Sequence, residues 1–211
     1  MNLETAVKNL TAHGFSVRVF RTAQDAANAI SQELSGKTVG FGGSVTLEQM
    51  QLFETLQKNN TVYWHWKQTP AQALENARSA QVYLTSANAV SETGEIVNID
   101  GTGNRVASML YGHEALYIVA GVNKLAPDLA SAMDRARSIA APLNARRLQR
   151  KTPCALAEPM RCHDCNSPER ICRGFVTLAR PMGGIGQTHV ILVEESVSYT
   201  HLRAHETLSD L

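Results

Sequence analysis

Four cysteines, Cys154, Cys162, Cys165 and Cys172, stand at C-x7-C-x2-C-x6-C inside TPCALAEPMRCHDCNSPERIC. Four thiolates from one loop can surround a tetrahedral zinc ion, and the same donors can carry an iron–sulfur cluster. His163 and Asp164, inside the close pair, could orient such ligands, and His163 could replace one cysteine. Two other readings stay open: a redox dithiol at Cys162 and Cys165, whose usual setting at a helix start is not evident here, or reduced thiols in a loop. Pro153, Pro159 and Pro168 disfavour a free helix or strand, so the stretch needs a staple if it is ordered.

A second concentration of chemistry runs from Thr85 to Arg105, TSANAVSETGEIVNIDGTGNR. Strand alternation puts Asn98 and Asp100 on one face, and D-G-T-G-N-R then turns into a helix whose first turn carries Asn104 and Arg105. Arg105 can grip a carboxylate or phosphate in a two-point fork. Glu92 and Asp100 are the candidate catalytic carboxylates, as general base or nucleophile, or as holders of Arg105. Ordinary turn chemistry uses the same residue types. VGFGGSVTL adds Gly42, Gly43 and Ser44, where positive φ, close backbone approach and free amides at a helix start suit an anion, or where Ser44 simply caps the helix. IVAGVNKL adds Asn123 and Lys124 at the end of an apolar strand, with a solvated loop charge as the plain alternative for Lys124.

The elements that must position these residues alternate along the chain. Helical spacing covers Leu3 to Leu10, a half-buried strand Phe15 to Phe20, and a helix opens at Thr22 and runs to Leu34. KTVGFGGS is a short strand entering glycines. A helix through Leu47, Met50 and Leu56, a strand TVYWHW, a helix Thr69 to Arg78 and a strand AQVYLTSA come next. EIVNI and the continuous apolar run ALYIVAGV are further strands, the latter of the buried parallel type. A long helix from about Pro127 to Leu148 has Leu129, Met133, Ala136, Ile139 and Ala140 as its inner face, and FVTLA and HVILVEE close the pattern. Such interleaving predicts an α/β domain with a largely parallel sheet and ligands beyond the strands' carboxyl ends.

At 211 residues with 44% apolar and 18% charged side chains, the chain can bury a sizeable core. A net charge of +1 gives no mandate for nucleic acid or anionic membrane, and no apolar run reaches the roughly 20 residues of a membrane span. The opening MNLETAVKNLTAHGF has polar residues every few positions, so the expected location is cytoplasmic, and in a reducing compartment clustered cysteines suggest metal or redox work more than scattered ones would. From Val197 the text VSYTHLRAHETLSDL reads as translated sequencing-adapter sequence, so residues 197–211 are set apart as a non-native tail and His201 and His205 are not counted as ligands. The expected domain is residues 1–195 with the cysteine loop 152–173 inserted.

GFGGSVTL, SANAVSETGEIVNIDGTGNRVA, IVAGVNKLAPDL, IAAPLNARRL and TPC…CHDCNSPERIC, in that order, resemble the LUD-domain family of lactate utilization proteins in its short single-domain branch. The resemblance implies a Rossmann-like sheet similar to the isomerase and CoA-transferase fold group, and an association with bacterial growth on lactate. It places Gly42, Gly43 and Ser44 on the family's glycine loop, Glu92 on its TETG position, Asp100, Asn104 and Arg105 on its DGxGNR segment, and Asn123 and Lys124 on its VNK segment. The four cysteines match the branch's cysteine loop. The chain lacks the flavin or ferredoxin-like modules of lactate oxidation, so the role expected is accessory or small-anion-binding, alongside iron–sulfur or flavoprotein partner subunits. An isomerase- or transferase-like enzyme on a sugar phosphate or acyl-CoA, and a metal-stapled interaction module, are the competing classes. A homo-oligomer is compatible with all three.

Overall fold

The computed structural model describes residues 1–198. His201 and His205, with the rest of the tail beyond Ser198, lie outside the described residues. Among the described residues ten strands and nine α-helices alternate much as the periodicity predicts. The strands are β1 (Ser16–Phe20), β2 (Thr38–Phe41), β3 (Thr61–Tyr63), β4 (Val82–Ser86), β5 (Ala89–Ser91), β6 (Ile96–Asp100), β7 (Ala115–Gly121), β8 (Leu125–Ala126), β9 (Gly174–Leu178) and β10 (Gln187–Val193). The helices are α1 (Leu3–Ala12), α2 (Ala23–Glu33), α3 (Val45–Gln49), α4 (Leu52–Leu56), α5 (Pro70–Arg78), α6 (Asn104–Leu110), α7 (Leu129–Arg135), α8 (Ala141–Arg147) and α9 (Pro153–Leu156).

Six strands form one all-parallel sheet in the order β1-β10-β7-β4-β2-β3. Its central strands are apolar on both faces because helices cover both. Along β7, Tyr117 and Val119 pack with Ile30, Leu47 and Leu56 of α2, α3 and α4, whereas Leu116, Ile118 and Ala120 pack with Leu10, Ala77 and Met109 of α1, α5 and α6. That two-residue alternation is why ALYIVAG reads as a continuous apolar run. The helix starts are fixed locally: the Thr22 hydroxyl accepts from the Asp25 amide at 3.0 Å, and Asn2 accepts from Thr5 at 3.1 Å.

A smaller sheet, β8-β5-β6-β9, combines parallel and antiparallel pairs and stands beyond the carboxyl ends of the large one. Short β5 and β8 give too little period-two pattern to be read from sequence. This sheet packs on α7, a π-helical stretch Ala136–Ala140, and α8, which follow one another without a break.

Here the expected inner face of the long helix is corrected in part: Ala136 and Ala140 are buried and Met133 packs on the small cluster as expected, whereas Leu129 and Ile139 are 38% and 48% exposed and Ala132, Ala141 and Ala145 are buried instead. Small residues face inward because the helix lies close on Ala89, Val97, Ile99 and Ala126, leaving no depth for branched side chains. Two other elements differ from expectation. The helix through Leu47 and Leu56 is broken by Gln51 at φ +51°, and the TVYWHW strand ends at Tyr63, after which Trp64 turns into the core against Phe41 and Phe53.

Candidate functional site

The carboxyl ends of β2, β4 and β7 deliver three loops to one place, and a cavity of about 1240 Å³ opens there. Its floor is Lys124. The β7 strand runs into a single 3-10 turn, Val122–Lys124, which carries the lysine back under the loops and leaves it 7% exposed. Nζ donates to the Thr46 hydroxyl at 2.8 Å and to the Ser86 hydroxyl at 2.7 Å, and Ser86 in turn donates to the Val119 carbonyl at 2.6 Å. Burial, reinforced by the guanidinium charges of Arg135 and Arg105, pulls the lysine down to about 7. Arg135, from the last turn of α7, donates to the Asn123 carbonyl at 3.0 Å and the Asn88 carbonyl at 2.5 Å, and burial lowers it to about 10. Among the described residues no carboxylate is ion-paired with Lys124 or Arg135.

Arg105 is committed to holding loops. Its guanidinium donates to the Ser86 carbonyl (3.2 Å), the Asn98 amide oxygen, the Asn88 amide oxygen (3.3 Å) and the Ile99 carbonyl (2.6 Å), with Asp100 Oδ2 at 3.5 Å from Nε. Asp100 is likewise occupied: Oδ1 accepts from the Thr102 and Gly103 amides at 3.0 and 2.9 Å, closing the DGTG turn. A carboxylate held by two amides beside a guanidinium shapes the turn and orients Arg105.

Gly43, Ser44, Asp100, Asn104, Arg105, Asn123 and Lys124 all line the cavity, whereas Gly42 and Glu92 do not. The glycine loop does its work by close approach, without positive φ: a Cβ on Gly43 would meet the Trp66 ring at 3.0 Å, and one on Gly42 would meet the Thr85 hydroxyl at 2.9 Å. Ser44 Oγ accepts from the Leu47 amide at 3.2 Å, the N-cap geometry. Asn123 pairs through its side-chain amide with the Val197 backbone in both directions at 3.3 Å, so Val197 is bound into the site's rim. Glu92 sits at the far end of the small sheet's hairpin, where Oε1 accepts from the Asn2 amide at 2.7 Å. A catalytic role for Glu92 in this cavity has no geometric basis.

Sequence reasoning missed Thr46, Ser86, His65, Trp66 and Arg135 on the cavity wall. Nothing in an isolated threonine or a mid-helix arginine signals a site. The Y-W-H-W run could have, since strand expectation absorbed an imidazole that in fact sits beside Asp100. Burial lowers His65, Asp100 pulls it partly back up, and its Nδ1 is buried without a hydrogen-bond partner among the described residues.

The cysteine loop forms the outer wall of the same cavity through Glu158, Pro159, Met160 and the stretch Pro168–Ile171. It approaches β6 where Gly101 has no side chain; a Cβ there would stand 2.7 Å from the Ile171 carbonyl. Arg170 is its staple, donating to the carbonyls of Cys165 (2.6 Å) and Cys172 (3.0 Å) and to Asp164 at 3.2 Å. All four thiols are reduced and half-buried, and among the described residues no group of three or more His, Cys, Asp or Glu is arranged to hold a metal ion. Basic groups outnumber acidic ones on the cavity wall: Lys124, Arg105, Arg135, Arg147, Arg150, Arg170 and Arg173 against Asp100, Glu158 and Glu169.

The LUD domain family model matches residues 3–193, from the first turn of α1 to the last residue of β10. The chain belongs to the LUD domain family. As a family, LUD domains are associated with lactate utilization, and the glycine, DGTGNR and VNK segments of this member are the loops that meet at its cavity. The LUD fold is also seen in the crystal structure of a DUF162 family protein from Deinococcus radiodurans, which is 15% identical and superposes with a TM-score of 0.54 over 90% of this chain and 95% of that one. That likeness concerns the fold alone. No curated protein sequence matches this LUD domain. No helix among its described residues is long and apolar enough to cross a membrane.

Proposed function

We propose that this LUD domain binds a small anion, a carboxylate or phosphate, in the cavity at the strand ends, as an accessory component of bacterial lactate oxidation. One observation carries the reading: the half-buried guanidinium of Arg135 and the buried amine of Lys124 stand together on one cavity wall, and among the described residues no carboxylate is ion-paired with either. A guanidinium drawn out of water is stable when paired, so a negatively charged ligand completes a site that the chain leaves without a counter-charge, with Lys124 as a neighbouring polar group. The remaining donors on the loops and Arg147 over the Trp66 ring at 4.7 Å extend a positive field to the cavity mouth.

Thermal unfolding with L-lactate, pyruvate and inorganic phosphate tests it. A ligand at about 100 times its Kd adds about 2.7 kcal/mol, several degrees of Tm for a domain of this size. Lys124→Met removes that gain while keeping the fold's apolar volume. If none of the three anions stabilises the protein, or if the variant responds as strongly as the parent, the cavity is not an anion site.

A further inference from the structure

The mode in which Lys124 is held goes beyond charge. Its Nζ has one carbon substituent and two recorded hydrogen-bond partners, the hydroxyls of Thr46 and Ser86 at 2.8 and 2.7 Å. Two N–H groups donate to the hydroxyls, which leaves the last tetrahedral position of Nζ to the cavity that the residue lines; in the neutral amine that position is the lone pair. The neighbours favour that form, since Arg105 and Arg135 stand close enough to repel a third positive charge. The chain's other five lysines, Lys8, Lys37, Lys58, Lys67 and Lys151, are surface or rim residues, so one amine alone is set apart in this way.

We infer that Lys124 is a nucleophilic amine that condenses with the carbonyl carbon of an anionic aldehyde or ketone, forming an imine in the cavity. The inference rests on the anion-binding reading and adds to it the class of ligand. In the step the Nζ lone pair forms a C–N bond and the carbonyl π pair moves to oxygen, which takes up the proton released from nitrogen. Loss of that oxygen with two hydrogens as water leaves the C=N bond, so no oxidant or reductant enters. The Thr46 and Ser86 hydroxyls hold the nitrogen in place, and the guanidinium groups favour a substrate whose carboxylate or phosphate neutralises them.

The test treats the intact protein with pyruvate or with dihydroxyacetone phosphate in the presence of cyanoborohydride, followed by intact mass and peptide mapping. A single adduct on the Lys124 peptide is expected. Which of the two compounds supplies it tells carboxylate from phosphate. L-Lactate and glycerol 3-phosphate, which carry no carbonyl, should protect Lys124 from labelling in competition. Lys124→Arg, which keeps a basic side chain but cannot form an imine, should lose the adduct, and mapping on the parent protein decides the matter even if that variant does not fold. Labelling spread over the surface lysines overturns the inference. Absence of a Lys124 adduct while lactate or glycerol 3-phosphate raises the Tm overturns the imine and leaves the anion site standing, whereas absence of both adduct and stabilisation removes both.

Discussion

At the residue scale, Lys124 shows how position changes what a side chain is. A lysine in water titrates at 10.5, and this one is lowered to about 7 by burial and by Arg135 and Arg105. Between those values the unfolded chain holds a proton that the folded chain has released, so stability rises with pH across that window and the burial penalty is fully present below about pH 7. Lys124→Met abolishes this component: the difference in urea-unfolding free energy between parent and variant should move in the parent's favour by up to about 1.4 kcal/mol per pH unit from about pH 7 upward. A difference independent of pH would mean that the lysine keeps its proton. The comparison is clean because the groups facing Nζ from the packed elements are the two guanidiniums of α6 and α7 and the neutral hydroxyls of α3 and β4. Arg105 plays the opposite part, since its value lies in the acceptors it satisfies. Arg105→Ala removes the guanidinium donor from the Asn98 amide oxygen and the Ile99 carbonyl and takes one of the donors from Ser86 and Asn88, and should cost about 3–5 kcal/mol in denaturant unfolding. Arg105→Lys should recover only a fraction, because a point charge cannot reach four acceptors.

At the element scale, the cysteine loop is ordered by guanidinium groups, those of Arg146, Arg170 and Arg173, more than by secondary structure. Arg170 ties the carbonyls of Cys165 and Cys172 to Asp164, and Arg137 reaches the same carboxylate at 3.2 Å from the π-helical stretch. Arg170→Met should therefore leave global stability within about 1 kcal/mol, because the group is partly exposed, while reaction of Cys165 and Cys172 with a thiol reagent becomes several-fold faster. Unchanged thiol kinetics would show the loop held by something else. Gly101 is the counterpart on the sheet side. A methyl there meets main chain rather than a yielding side chain, so Gly101→Ala should displace the loop and lower stability by about 1–3 kcal/mol. The same variant should weaken anion-dependent stabilisation, since the displaced loop is a cavity wall.

At the scale of the whole molecule, two sheets of unequal strength share one cavity. The six-stranded sheet carries two extensive cores; the four-stranded sheet shares one of them through Val90, Ile96, Leu125 and Leu178, and its other face adds only a small cluster of alanines, valine and isoleucine under α7 and α8. Native-state hydrogen exchange should show β4, β7 and β10 opening only with global unfolding, and β9 with the cysteine loop opening at lower free energy. Ligand binding should slow exchange in both sheets, because Arg135 bridges the loops leaving β4 and β7. The alternation of helices and strands, the parallel sheet and the family were legible from the chain alone. Periodicity and glycine–hydroxyl loops are local, and residues such as Leu116 to Ala120 or Thr22 with Asp25 carry their own instructions. The second sheet was not legible, because Ala89–Ser91 and Leu125–Ala126 are strands only by virtue of their neighbours. Nor were the roles inside the cavity: Glu92, attractive by type, was carried away from it, and Arg105 was spent on loop carbonyls. Lys124, readable as a solvated charge, became the buried centre. Burial and partner choice are set by residues distant in sequence, here Thr46, Ser86 and Arg135 around Lys124, and no pattern along one segment contains that information.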